Sequence, residues 1–254
     1  MRFELYEPVK ALSPYVKHLV ISENTEEQVY RVFPSTSLVI GFQYRGRLSV
    51  LSEHGMSSLS TAGITGISGS YKVFRNSAGI GTLLVAFTEI GFSYFSACPA
   101  HELFKQSVSL DNLFNRSKIE ETEEKLSYAT TDKQRIQIVE RFLLAHFKYA
   151  EADKMIVEAV RVINQSKGNI RISELNERLF TSKSPLEKRF RRAVGTTPKK
   201  FASLVRFNAV LSSLKVENSL SGVCYGNNFF DQAHFIKDFK QFTGYTPESF
   251  RKQI

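Results

Sequence analysis

Apolar positions near the end of the chain follow a helical period. Phe235, Phe239 and Phe242 stand at i, i+4 and i+7, one stripe of an amphipathic helix. Asp231 before them is a good N-cap, since its carboxylate can accept from amides of the first turn. Gly244 is suited to close the helix, and Pro247 to open the next. The outward face carries Gln232, Ala233, Lys237 and Lys240.

The same pattern occurs once before. Phe190, Gly195, Thr197, Pro198 and Phe201 match Phe239, Gly244, Thr246, Pro247 and Phe250 at a constant offset of 49, which also maps Leu186 onto Phe235, Lys188 onto Lys237 and Ser182 onto Asp231. Upstream the offset becomes 48, pairing Leu175 with Val223, so the second copy has one extra residue in its turn. A repeat of this length is one supersecondary unit used twice. Each unit reads as a short helix, a turn and a second helix: Ile172 to Leu179 then Ser182 to Val194 in the first. Pro185 is tolerated within a first turn. A helix from about Asp153 to Gln165 precedes the repeat, and Pro198 to Leu214 connects its copies. At 1.5 Å per residue this connector spans about 25 Å, somewhat short of the roughly 34 Å between major grooves on one face of DNA.

The first 95 residues read differently. Val29–Phe33, Leu38–Tyr44, Arg47–Leu51, Tyr71–Arg75 and Gly81–Thr88 are short apolar or alternating runs between Gly, Pro and Ser punctuation, the pattern of a small barrel or two-sheet sandwich. Phe33, Phe42, Tyr44, Tyr71, Phe74, Phe87 and Phe92 are expected mainly in its core, with a ligand pocket as the alternative. Residues 100–150 turn helical. Glu120 to Glu124 is an acidic run on a solvated helix, and Ile136, Val139, Leu143 and Phe147 form a narrow stripe, either core or a contact between copies.

Charge separates the two halves. Residues 1–150 carry a net +1 and residues 151–254 a net +8 of the total +9. Between Thr181 and Arg206 stand eight cations and one acid, Glu187. Cations concentrated on repeated amphipathic helices point to a phosphate-backbone footprint. The two cysteines, Cys98 and Cys224, lie far apart, which argues against a disulfide scaffold and for a reducing compartment. Without an apolar run of membrane-spanning length or a signal-peptide core, the cytoplasm is the expected location.

Two helix-turn-helix units in tandem, each ending in F-x(4)-G-x-T-P-x-x-F, resemble the DNA-binding domain of the AraC/XylS transcription regulators, and Asp231 to Lys240 is close to that family's signature. The resemblance implies an α+β chain: a cupin-like β-rich sensor or association domain over 1–150, and an all-α domain of two helix-turn-helix units joined by a long helix over 151–254. It implies sequence-specific binding of double-stranded DNA across two major grooves. A small-molecule effector, RNA polymerase and a second copy of the chain are its further partners; no membrane and no cofactor are implied. Base edges would be read by Lys183, Ser184, Glu187 and Lys188 in the first unit and by Gln232, Ala233, His234 and Lys237 in the second, with His234 also suited to packing. Arg191, Arg192, Lys199, Lys200, Arg206 and Lys240 would anchor on phosphates. The sequence departs from the family where the turn usually carries Gly: Phe180 and Asn228 stand there, and Phe tolerates positive φ poorly, so a strained first turn is expected. The small residue between the paired helices is Asn176 in one unit and Cys224, a buried spacer, in the other.

Enzyme chemistry is the competing class. Cys98 and His101 could be nucleophile and base of a DNA-targeted repair enzyme, although a Cys-Pro peptide reads first as a turn. His18, His54, His101 and His146 lack the close spacing of a cupin metal site, so no metal is expected. A non-specific architectural DNA binder is the third reading. Neither the effector nor the sign of regulation is encoded in any one residue.

Overall fold

The structure, a computed structural model, describes residues 1–52, 55–149, 151–214, 219–226 and 232–252. The expectations placed on His54, Asn228 and Asp231 lie outside them.

Among the described residues, ten strands form two antiparallel sheets. The larger has the order β1 (Arg2–Tyr6), β2 (Val16–Asn24), β9 (Ile80–Phe87), β4 (Val39–Arg45), β7 (Ala62–Thr65) and β10 (Ser107–Ser109). The smaller has the order β3 (Gln28–Val32), β8 (Lys72–Asn76), β5 (Leu48–Ser52) and β6 (Gly55–Ser58). Five strands match the sequence reading to within a residue or two. β1, β2, β6, β7 and β10 were not anticipated. Gly63 of β7 had read as punctuation between runs; a methyl at this position would come within 3.2 Å of the Val108 carbonyl oxygen of β10, a tight contact.

The pleat decides where the core lies, since successive side chains face opposite sides of a sheet. On β9, Leu83, Val85 and Phe87 are fully buried, and Phe87 meets the rings of Phe92 and Phe95. Ile80, Thr82 and Leu84 face the other way, into a cavity between the sheets. On β4, Ile40 and Phe42 likewise point outward, where Phe42 meets Phe142 edge to face. The main core therefore fills the outer side of the larger sheet. It is closed there by α1 (Arg116–Tyr128) and α2 (Asp132–His146). Phe42, Phe87 and Phe92 belong to that core, whereas Phe33 and Phe74 line the cavity.

The stripe on α2 is used inside the chain. Val139 and Leu143 are fully buried, and Phe147 packs with Tyr15, Tyr94 and Phe95. A contact between copies would need another face. Thr131 and Gln134 cap this helix reciprocally. Among the described residues, no helix is long and apolar enough to cross a membrane.

The remaining helices are α3 (Lys154–Gln165), α4 (Ile172–Arg178), α5 (Lys183–Val194), α6 (Pro198–Leu214), α7 (Leu220–Gly226), α8 (Gln232–Thr243) and α9 (Pro247–Arg251). Their bounds follow the sequence reading closely. Asp153 caps α3 by accepting from the Ile156 amide. Ser182 occupies the N-cap position of α5 in extended conformation, but its hydroxyl makes no capping hydrogen bond. Leu186, Phe190 and Val194 of α5, and Phe235, Phe239 and Phe242 of α8, are the buried stripes.

Candidate nucleic-acid interface

In each unit the second helix is held by its apolar stripe and by the turn that ends it. Gly195 and Gly244 both take positive φ, 97° and 75°, a conformation that costs a Cβ-bearing residue energy. Both also touch the β domain. A methyl at Gly195 would sit 3.0 Å from the Ala100 carbonyl oxygen, and one at Gly244 would overlap the Tyr71 ring. So the C-terminal end of α5 rests against the short 3-10 helix Ala100–Leu103, and that of α8 against Tyr71, just before β8.

Their N-terminal ends project outward. Lys183, Ser184 and Lys188 are exposed and Glu187 is half-buried; Gln232, Ala233, His234 and Lys237 are exposed. The residues expected to read bases thus share one relative position in the two units. His234 lies 3.7 Å from Asp238. Arg191, Arg192, Lys199 and Lys240 are exposed around them. Arg189, not considered from sequence, ties α5 to the start of α3 by pairing with Asp153 at 2.7 Å.

Two expected phosphate contacts are placed differently. Lys200 turns toward the β domain. Its ammonium stands 4.9 Å from the Phe242 ring centroid, and its stem is close enough to Gly69 that a methyl there would lie 2.8 Å from Cε. Burial pulls its pKa down, with Lys105 adding to the shift and Asp238 opposing it. Arg206 is only 21% exposed and lies 3.9 Å from Asp238. Both are committed within the protein rather than presented beside the exposed helix ends.

The first turn is strained as expected. Phe180 has φ 48° and is 98% exposed. Asn176, at the helix–helix contact, has a buried Oδ1 without a hydrogen-bond partner. Cys224 is fully buried, consistent with a spacer.

Sequence comparison matches residues 175–253 to a family described as a helix-turn-helix domain, and residues 4–109 to a domain of unknown function, DUF6597. Residues 175–253 thus carry a helix-turn-helix domain. Two curated relatives are named as regulators. The Msm operon regulatory protein of Streptococcus mutans is 27% identical over 159 residues, 60% of this chain and 56% of the relative. An uncharacterized HTH-type transcriptional regulator, YidL, of Escherichia coli is 35% identical over 82 residues, 32% of this chain and 28% of the relative. The chain thus spans little more than half the length of the first and under a third of the second. Two solved structures of ToxT from Vibrio cholerae share the fold. Both have a TM-score of 0.50, at 13% identity over 92% of this chain and 96% of the other, and at 9% over 100% and 99%. The shared fold, a β-rich domain followed by a helical one, extends over nearly the whole chain.

The β domain holds features that sequence reasoning missed. A cavity of about 560 Å³ lies between the sheets. Beside it, the Arg31 guanidinium stacks between Tyr71, at 5.0 Å, and Tyr245 of the second unit, at 4.0 Å. Gln241 donates to the Gly69 carbonyl at 3.2 Å, and Phe33 meets Phe250 edge to face. The second unit is therefore docked on the strands that wall the cavity.

The cysteine that suggested an enzyme is poorly suited to nucleophilic work. Cys98 Sγ lies 3.7 Å from Glu102 Oε2, and burial together with that carboxylate pushes its pKa up, away from the thiolate. Its expected base, His101, has Nδ1 buried with no hydrogen-bond partner. Among the described residues no cluster of His, Cys, Asp and Glu could hold a metal ion.

Proposed function

We propose that this chain is a sequence-specific DNA-binding transcription regulator, without enzymatic activity, whose β domain takes a small-molecule effector. One observation carries the DNA reading: in both copies of the repeat the apolar stripe is buried while the polar residues of the first turns stand exposed. A helix-turn-helix inserts that end of its second helix into the major groove. Gln232 suits adenine, Lys183, Lys188 and Lys237 suit guanine, Glu187 suits cytosine and Ala233 suits a thymine methyl. Arg191, Arg192, Lys199 and Lys240 supply sequence-independent charge. Lys200 and Arg206, turned inward, are left out of that set. The effector reading is supported by the cavity and by the docking of the second unit on its wall.

Gel-shift titration at fixed salt tests the assignment. Gln232→Ala is expected to cost roughly 1–3 kcal/mol on the selected site and to relax preference there. Arg191→Ala should weaken all sequences alike and reduce the salt dependence. A uniform effect from both would refute the division into reader and anchor. No preference between selected and random DNA would favour an architectural binder instead.

A further inference from the structure

We propose that the cavity between the two sheets binds a small organic anion whose charged group is held by Lys72. This rests on the effector reading above and specifies its ligand.

The pleat turns Lys72 inward together with Phe74 and Asn76, all three lining the cavity. The Lys72 ammonium reaches across the gap between the sheets, donating to Ser107 Oγ at 2.9 Å and to the Gln106 carbonyl at 3.2 Å. An ammonium has three donors, so one remains for a ligand. Among the described residues lining the cavity there is no aspartate or glutamate, and none forms an ion pair with Lys72. A half-buried cation without a countercharge is costly, and an anion placed beside it removes that cost. Burial alone pulls the Lys72 pKa down, which is how a lysine behaves when its charge has been taken from water without an acidic partner.

The remaining walls set the rest of the ligand. Phe33, Phe74, Ile80 and Leu84 offer apolar contact, and Thr65 and Thr82 offer hydroxyls. The volume, about 560 Å³, lies in the ordinary range for small-molecule sites. An amphiphilic anion with a compact apolar body fits these walls better than a neutral sugar or a bare inorganic ion. The segment that leads into the strand carrying Lys72 makes the contact with the second unit, through Gly69 and Tyr71. A ligand on Lys72 is thus three residues or fewer from the surface on which α8 rests.

Two fluorescent probes of nearly the same shape separate charge from apolar affinity: anilinonaphthalenesulfonate, an anion, and N-phenylnaphthylamine, which is neutral. The full-length chain is expected to bind the sulfonate at one site, at least about tenfold more tightly than the amine. Octanoate should displace it and octanol should not. Lys72→Met should remove the preference, Lys72→Arg should keep it, and Lys133→Met, on the exposed face of α2, should leave it unchanged. Equal affinity for the two probes, several weak sites, no binding of the sulfonate, or a preference that survives Lys72→Met would overturn the proposal. The same preparations are titrated with selected DNA. DNA binding without the charge preference would refute the anion site and leave the regulator reading standing. The reverse would refute the regulator reading alone.

Discussion

Phe180 holds a left-handed backbone conformation with its ring almost wholly in solvent. No buried contact offsets the strain. Phe180→Gly should therefore stabilise the chain by about 1 kcal/mol in urea denaturation, the usual difference between glycine and a side-chain-bearing residue at such a position. A loss of stability would mean that the ring has a packing role. Cys98 gives a second expectation at this scale. Its raised pKa lowers the thiolate fraction at neutral pH, so iodoacetamide should modify it more slowly than free cysteine, with the rate continuing to climb above the pH where free cysteine levels off. Cys98→Ser should leave DNA affinity unchanged. The strain at Phe180 was legible in the sequence because the family resemblance puts a glycine at that turn. The inward turn of Lys200 was not, because nothing in a run of basic residues says which one meets another domain.

At the scale of elements, the repeat specified the helices well. Glycine, proline and phenylalanine recur there at fixed spacing, and each constrains local geometry strongly. The β half was less readable for a physical reason. A strand that walls a cavity carries Ser and Thr where a core strand carries Val and Leu, so its inward face reads as solvent. The alternation on β9, with Thr82 between buried neighbours, is one case; Gly63 on β7 is another. Two glycines of positive φ allow a direct comparison. Gly79 has φ 69° and open space around its Cβ position, whereas Gly195 has φ 97° and the Ala100 carbonyl in the way. Both Gly79→Ala and Gly195→Ala incur backbone strain of about 1 kcal/mol. Gly195→Ala should cost more by an amount that reports the contact, and thermal denaturation of the two variants measures it. Equal losses would show that α5 is not held at the β domain.

For the whole molecule, the decisive feature is that both units rest on the β domain. Arg31 between Tyr71 and Tyr245 is the most specific of these contacts. Cation–π contacts of this kind contribute about 0.5–2 kcal/mol. Arg31→Ala should accelerate amide hydrogen exchange in α9 and the end of α8 while leaving α1 unaffected. Unchanged exchange in α9 would mean that the aromatic contact of Phe33 with Phe250 suffices. This docking could not be read from sequence, since it joins residues far apart in the chain, Gly69 and Gln241 being 172 positions apart, that belong to no common motif.

The resting places of Gly195 and Gly244 have a consequence for the DNA. Two reading heads fixed to one frame cannot swivel independently, so the protein should be sensitive to helical phase. Inserting about five base pairs between the two blocks of a selected site would carry the second block to the opposite face of the duplex. Inserting about ten would restore the face but lengthen the span by a full turn of roughly 34 Å. Neither should be tolerated. A search for sites in a genome would then use a single fixed gap, where a pair of loosely tethered domains would call for many.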